Sequence, residues 1–148
     1  MINTIFLVVE KRLKASSQLV LWGFVVLWYG VIFYLSHIPA ATSASTKGLV
    51  GGDDTMNAIF RFCAHLGVFG VLGILLYAAL QRSFLWLRRS FIIVLFCTLL
   101  FAISDEAHQY YVPGRHARLQ DICTDIIGAG ISVYAVVMLR RFSSATTD

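Results

Sequence analysis

Long apolar runs separated by short polar segments dominate this chain. From Ser17 to Ser36 the residues are continuously apolar and aromatic, about 20 in all, the length a helix needs to cross a hydrocarbon core of roughly 30 Å. A second run extends from about Met56 to Leu80, a third from about residue 86 to Glu106, and a fourth from Leu119 to about Leu139. The pattern predicts an all-α, integral-membrane four-helix bundle built from these spans. The first stops at Ser36-His37-Ile38-Pro39, because proline disfavours helix in the residue before it. Asp53, Asp54 and Thr55 then supply the acids and side-chain oxygens that suit a helix N-terminus. Between these signals, residues 40–55 are small and polar and are expected to form the longest, most flexible loop.

The flanks are polar. Residues 1–15 join a short apolar run, Ile5 to Val9, to Glu10, Lys11, Arg12 and Lys14. That run is too short to span, and its positive charge follows it, whereas in a signal peptide the charge comes first. A cytoplasmic interfacial helix is expected for residues 1–15, a four-span domain for 16–141 and a cytoplasmic tail for 142–148. Lys11, Arg12 and Lys14, then Arg82, Arg88 and Arg89, then Arg140 and Arg141 mark one side of the membrane. The positive-inside rule places both termini and the second loop in the cytoplasm, so the first and third loops face outward.

Composition agrees with this. Of the 148 residues, 58% are hydrophobic and only 14% charged, against about 25% charged in soluble domains. The net charge of +4 is spread over clusters beside the spans, which excludes a nucleic-acid stripe. Cys63, Cys97 and Cys123 lie in apolar runs with no CxxC pair and are expected to be buried thiols.

Against this apolar background, residues 104–130 stand out. They hold Asp105, Glu106, Asp121 and Asp125 with Arg115, Arg118, His108 and His116. Asp121, Asp125, Gly128 and Ser132 follow helical spacing, so one face of the fourth span carries acids and small residues. That face should point into the bundle, because an acid near mid-membrane costs about 2.5–3.5 kcal/mol. Arg61 and His65 share a face of the second span at i, i+4. Gly67, Gly70 and Gly73 follow at three-residue steps and are expected to allow close helix approach. The topology puts the ionisable residues of three spans at one depth in the outer half. Ionisable residues inside a membrane point to function, and the plain alternative is a charge network that sets helix register, with Arg61 paired to Asp121 or Asp125.

The run Ser104-Asp105-Glu106-Ala107-His108-Gln109, then Pro113-Gly114-Arg115, then Asp121, Asp125, Gly128 and Gly130, resembles the signature of the VanZ-like membrane proteins. Phe33-Tyr34-Leu35-Ser36 and the set His65, Phe69 and Gly73 match that family as well. Arg61 stands where lysine is common there, and Asp125 where asparagine is often found. The resemblance covers roughly residues 20–138. It implies a multi-pass protein of the bacterial inner membrane and, from the member that names the family, a link to glycopeptides such as teicoplanin.

The leading expectation is a non-enzymatic protein with an outer-facing polar pocket. The pocket would bind a membrane lipid, a lipid-linked cell-wall intermediate or a glycopeptide through Arg61, His65, Asp105, Glu106, Gln109, Arg115, Asp121 and Asp125, and so lower glycopeptide sensitivity. Arginine suits phosphate or carboxylate by bidentate bonding. The alternative is an enzyme acting on an envelope lipid or lipid-linked sugar, with Glu106, Asp121 and His65 as acid/base groups. A structural assembly partner is the third reading. No glycine-flanked serine or cysteine nucleophile appears. His65, Asp105, Glu106, His108 and Asp121 offer nitrogen and oxygen donors at one depth, but no compact signature such as HExxH is present. No metal or other cofactor is therefore expected.

Overall fold

The computed structural model describes residues 2–38, 54–83 and 87–145. They form helices α1 (Ile2–His37), α2 (Asp54–Ser83), α3 (Leu87–Tyr110) and α4 (Leu119–Ala145), with no strand among the described residues. Four segments are long and apolar enough to cross a membrane: Ser16–His37, Thr55–Ser83, Ser90–Tyr110 and Leu119–Ser143. The expected all-α bundle with four candidate spans is present.

The boundaries differ in instructive ways. Residues 2–15 do not form a separate helix; they continue α1 without a break, because no proline or glycine interrupts them. Helix α3 runs to Tyr110, four residues past the expected Glu106, since Asp105, Glu106 and Gln109 keep their polar side chains inside the bundle. Helix α4 extends to Ala145 rather than ending before a tail. The acidic start of α2 is where the sequence places it, at Asp54. The expected loop over 40–55 lies almost wholly outside the described residues.

Helix α2 is the packing centre. Phe69, Leu72, Leu76 and Ala79 recur at heptad-like steps and are all fully buried. Val25 and Ile32 of α1, Val94 and Ala102 of α3, and Ala129 and Val133 of α4 close around them. Side-chain bonds set the register. Trp28 Nε1 donates to the Val68 carbonyl at 2.9 Å, and Gln18 Nε2 to Ser83 Oγ at 2.8 Å, so α1 and α2 run antiparallel. Tyr29 packs tilted against Phe101 with ring centroids 4.4 Å apart and Ser36 bonds Asp105, so α1 and α3 run parallel.

Helices α2 and α4 touch backbone to backbone. A Cβ at Gly128 would run into the Leu66 carbonyl, and one at Gly73 would meet Ala129 Cβ at 2.8 Å. A Cβ at Gly70 would meet Ser132 Oγ at 2.6 Å, whereas one at Gly67 would meet nothing within 4 Å. The expectation for three approach glycines is thus corrected to two. Steps of three residues rotate the face by about 60° each time, so a row of three leaves the contact. The acid-and-small face of α4 does point inward, with Asp125 fully buried and Gly128 against α2.

The outside of the bundle is apolar. Leu19, Val26, Leu27, Phe96, Ile131 and Tyr134 are all more than half exposed. A soluble protein rarely exposes so continuous an apolar surface, and a lipid-facing one needs it. The same reason corrects the cysteine expectation: Cys63 and Cys123 are exposed and only Cys97 is partly covered. Apolar residues facing lipid need no burial in protein.

Gly128→Ala forces a methyl against the Leu66 backbone and should destabilise the bundle by about 1–3 kcal/mol. Gly67→Ala has room and should leave stability unchanged or slightly raised, since alanine favours helix. Thermal unfolding of both variants in detergent, followed by circular dichroism, checks the contrast.

Candidate functional site

The polar residues gather at the end of the bundle formed by the C-termini of α1 and α3 and the N-termini of α2 and α4. The turn Val112-Pro113-Gly114-Arg115 shapes it. Arg115 N–H donates to the Val112 carbonyl at 3.1 Å, and Gly114 has a φ of 77°. Proline second and a left-handed glycine third is the pattern of a type II turn, which β-carbon-bearing residues resist at the glycine position. This turn swings Arg115 back over the helix ends.

Arg115 does not neutralise the acids. Its Nε donates to the Ile38 carbonyl at 2.9 Å, one Nη to Gln109 Oε1 at 3.2 Å and the other to the Leu35 carbonyl at 3.3 Å. The guanidinium caps the free carbonyls at the end of α1. Partial burial and the neighbouring Arg61 charge push its pKa below the usual arginine value, while Asp105, Glu106 and Asp121 pull it the other way. Arginine's intrinsic value is so high that the side chain stays charged.

Asp105 belongs to a separate, fully buried network. Ser36 Oγ donates to Asp105 Oδ2 at 2.9 Å, and Gln109 Nε2 donates to the same oxygen at 2.9 Å. Asp105 and Gln109 are spaced i, i+4 on α3, and they bond directly. Ser36 was not among the expected site residues. Its place at the polar end of an apolar span was the one available signal, but the partner 69 positions away was not readable.

Helices α2 and α4 contribute a ladder of two side-chain bonds, one an ion pair and one between a histidine and a carboxylate. Arg61 Nη2 bonds Asp121 Oδ2 at 2.9 Å, and His65 Nδ1 meets Asp125 Oδ1 at 3.0 Å. The i, i+4 spacing on each helix makes both pairs possible only when the helices run parallel in matched register. Of the two partners open to Arg61, the structure selects Asp121. Glu106 of α3 completes the group. Its Oε2 accepts the Arg118 backbone N–H at 2.6 Å, so it caps the start of α4 from a neighbouring helix. One donor atom each from His65, Glu106 and Asp121 lie within 4.8 Å of one another. His108 stands apart, stacked on Phe33 at 3.9 Å and facing His37 on the exposed side. His116 is exposed.

A cavity of about 640 Å³ opens beside the cluster. Ile32, Leu35, Phe60 and Val68 form an apolar wall, and Arg61, His65, Arg115 and Arg118 line its polar part. Among the described residues, three buried carboxylate oxygens lack a hydrogen-bond partner: Asp105 Oδ1, Glu106 Oε1 and Asp125 Oδ2. Such groups are uncommon in protein interiors, and each calls for a water, an ion or a proton to complete it.

A family model described as VanZ/LLP1 matches residues 21–140. The chain belongs to the VanZ/LLP1 family. The match takes in all four candidate spans almost entirely, together with every residue of the cluster. No curated protein and no solved structure matches the chain. Four apolar helices and the VanZ/LLP1 assignment together make this a multi-pass membrane protein of that type.

Ser36→Ala removes one of the two donors that hold the buried Asp105 carboxylate. We expect a loss of about 1–3 kcal/mol in stability, read by thermal unfolding, with Ser36→Thr recovering part of it.

Proposed function

We propose that this VanZ/LLP1 protein binds an anionic lipid or lipid-linked envelope ligand in the cavity at the polar end of the bundle. One observation carries the reading. The cavity has an apolar wall from α1 and α2 and a polar part where three arginines and two histidines outnumber one acid, Asp105. An amphiphile with a phosphate or carboxylate head matches both halves, since arginine binds such groups by paired, charge-assisted bonds. The membrane supplies amphiphiles at this depth.

The orientation that goes with this reading puts both termini in the cytoplasm of a bacterial inner membrane, from the lysine and arginine asymmetry. The cavity then opens outward, where cell-wall intermediates and glycopeptides are met. Occupancy by such a ligand would alter access of a glycopeptide such as teicoplanin to the envelope and lower sensitivity to it. The paired ladder Arg61–Asp121 and His65–Asp125 supports helix register as well, so part of the cluster is structural.

A second reading is supported by Glu106. Its Oε1 is buried without a partner and its carboxylate is grouped with His65 and Asp121, an arrangement suited to acid/base work on the bound head group. Under it the protein is an enzyme on an envelope lipid or lipid-linked sugar. Mass spectrometry of a lipid-linked sugar incubated with the protein separates the two: an unchanged substrate supports binding alone, and a product lost in Glu106→Gln supports catalysis.

Binding is tested with the full chain in nanodiscs by native mass spectrometry. Undecaprenyl phosphate and phosphatidic acid should be retained over phosphatidylcholine. Arg118→Gln, at an exposed residue whose bond to Glu106 uses only its backbone, should weaken retention about tenfold, the value of one charge-assisted bond. Equal retention of phosphatidylcholine would refute the reading. A teicoplanin inhibitory concentration that does not rise on expression would remove its glycopeptide part.

Orientation is tested in a variant whose three cysteines are replaced. Tyr111→Cys should react with an impermeant thiol reagent in intact cells, and Arg82→Cys should react only after permeabilisation. The opposite pattern would invert the topology.

A further inference from the structure

We infer that His65, Glu106 and Asp121 form a binding site for one first-row divalent cation, of the Mn2+ or Zn2+ type. This deepens the proposed reading of the same site and rests on it for the ion's purpose, which is to hold the anionic head of the bound ligand.

The donor set comes first. One nitrogen and two carboxylate oxygens from three different helices lie within 4.8 Å of one another. Tetrahedral ligands about 2.1 Å from an ion stand about 3.4 Å apart, so closing onto an ion needs the widest pair to contract by about 1.4 Å at most, which side-chain rotation can supply. Imidazole with carboxylates suits borderline ions; an all-oxygen set would suit Mg2+ or Ca2+ instead. Three protein ligands leave coordination positions open. His65 also lines the cavity, so those positions adjoin the space proposed for the ligand.

The second observation is independent of the cluster's composition. Glu106 is only 3% exposed, and its Oε1 has no hydrogen-bond partner. Its other oxygen is taken by the Arg118 amide, which fixes the carboxylate. Among the described residues no arginine or lysine pairs with it, the nearest such pair being Arg61 with Asp121. A buried carboxylate of this kind needs a cation or a proton. A proton would satisfy Glu106 alone. A divalent ion would satisfy Glu106 and draw on Asp121, which Arg61 already holds through one oxygen, and on His65 as well.

The arrangement behind His65 points the same way. Its Nδ1 is engaged by Asp125 Oδ1 at 3.0 Å, and Asp125 is wholly buried. With Nδ1–H donated to that carboxylate, Nε2 is the nitrogen left with a lone pair for a metal. A histidine backed by a carboxylate through its other nitrogen is the usual support of a metal-ligating imidazole. Asp125 is then a positioning residue, and the parallel register of α2 and α4 holds the pair in line. The sequence alone led us to expect no metal, because the three ligands are 41 and 15 positions apart and form no compact motif.

The test uses the full chain in nanodiscs of phosphatidylcholine, stripped with a chelator. Mn2+ is titrated and free ion counted by electron paramagnetic resonance; Zn2+ is titrated against a chromogenic chelator. We expect one equivalent of either ion to bind. Glu106→Gln and Asp121→Asn should weaken it by more than the about 10- to 100-fold typical of losing an outer-sphere partner, and Asp125→Asn by about that amount. His108→Gln, in the exposed His37–His108 pair, should change nothing. Should the acid variants fail to fold, pulsed resonance on wild-type bound Mn2+ must show coupling to one histidine 14N. Failure of both ions to bind, loss in His108→Gln but not in Glu106→Gln, or absence of 14N coupling overturns the site. Because the nanodiscs contain no anionic lipid, metal binding without undecaprenyl phosphate retention sinks only the ligand reading, and retention without metal binding sinks only this one.

Discussion

Asp105, Glu106 and Asp125 are buried in a bundle whose other buried residues are mostly apolar and otherwise uncharged. Removing an ionised carboxylate from water carries a penalty of several kcal/mol that only close partners offset. Each of the three is met by a different device. Asp105 takes donors from Ser36 and Gln109, Asp125 takes His65, and Glu106 takes a backbone amide at the start of α4. These bonds join α1 to α3, α2 to α4, and α3 to α4. The polar end of the bundle is therefore tied together by the groups that are hardest to place there.

That requirement governs helix packing further along the chain. The ladder from Arg61 and His65 to Asp121 and Asp125 needs α2 and α4 parallel, close and in register. Gly73 and Gly128 permit that closeness by removing side chains where the backbones meet. Below them Phe69, Leu72 and Leu76 fill the centre. In lipid there is little hydrophobic drive between helices, so close packing and interhelical polar bonds carry much of the association. Stability and site geometry thus depend on the same contacts, and variants at either end of the ladder should be read for both.

Each of the three bonded carboxylates still has one oxygen without a partner. The Glu106 carboxylate belongs to a cluster with His65 and Asp121, and His65 lines the cavity. Unpartnered oxygens therefore concentrate at the polar end of the bundle, and Arg61, Arg115 and Arg118 around the cavity bring positive charge beside them. A cation at the cluster and an anion in the cavity would complement one another.

The four spans, their apolar character and the inward face of α4 were legible from the chain, because span length and helical period are local properties. So was the gathering of Arg61, His65, Asp105, Glu106, Asp121 and Asp125 at one end, which follows from topology once the spans are counted. Pairing was not legible. Arg61 could have met either aspartate, and Arg115 was a natural partner for the acids, yet it caps α1 carbonyls instead. Those choices depend on helix rotation and separation, which are set by contacts such as Gly128 on Leu66 between distant positions. The sequence determined which residues reach the site; tertiary packing decided which of them bond one another and which oxygens are left over, because an oxygen's partner depends on distances of a few tenths of an ångström across separate helices.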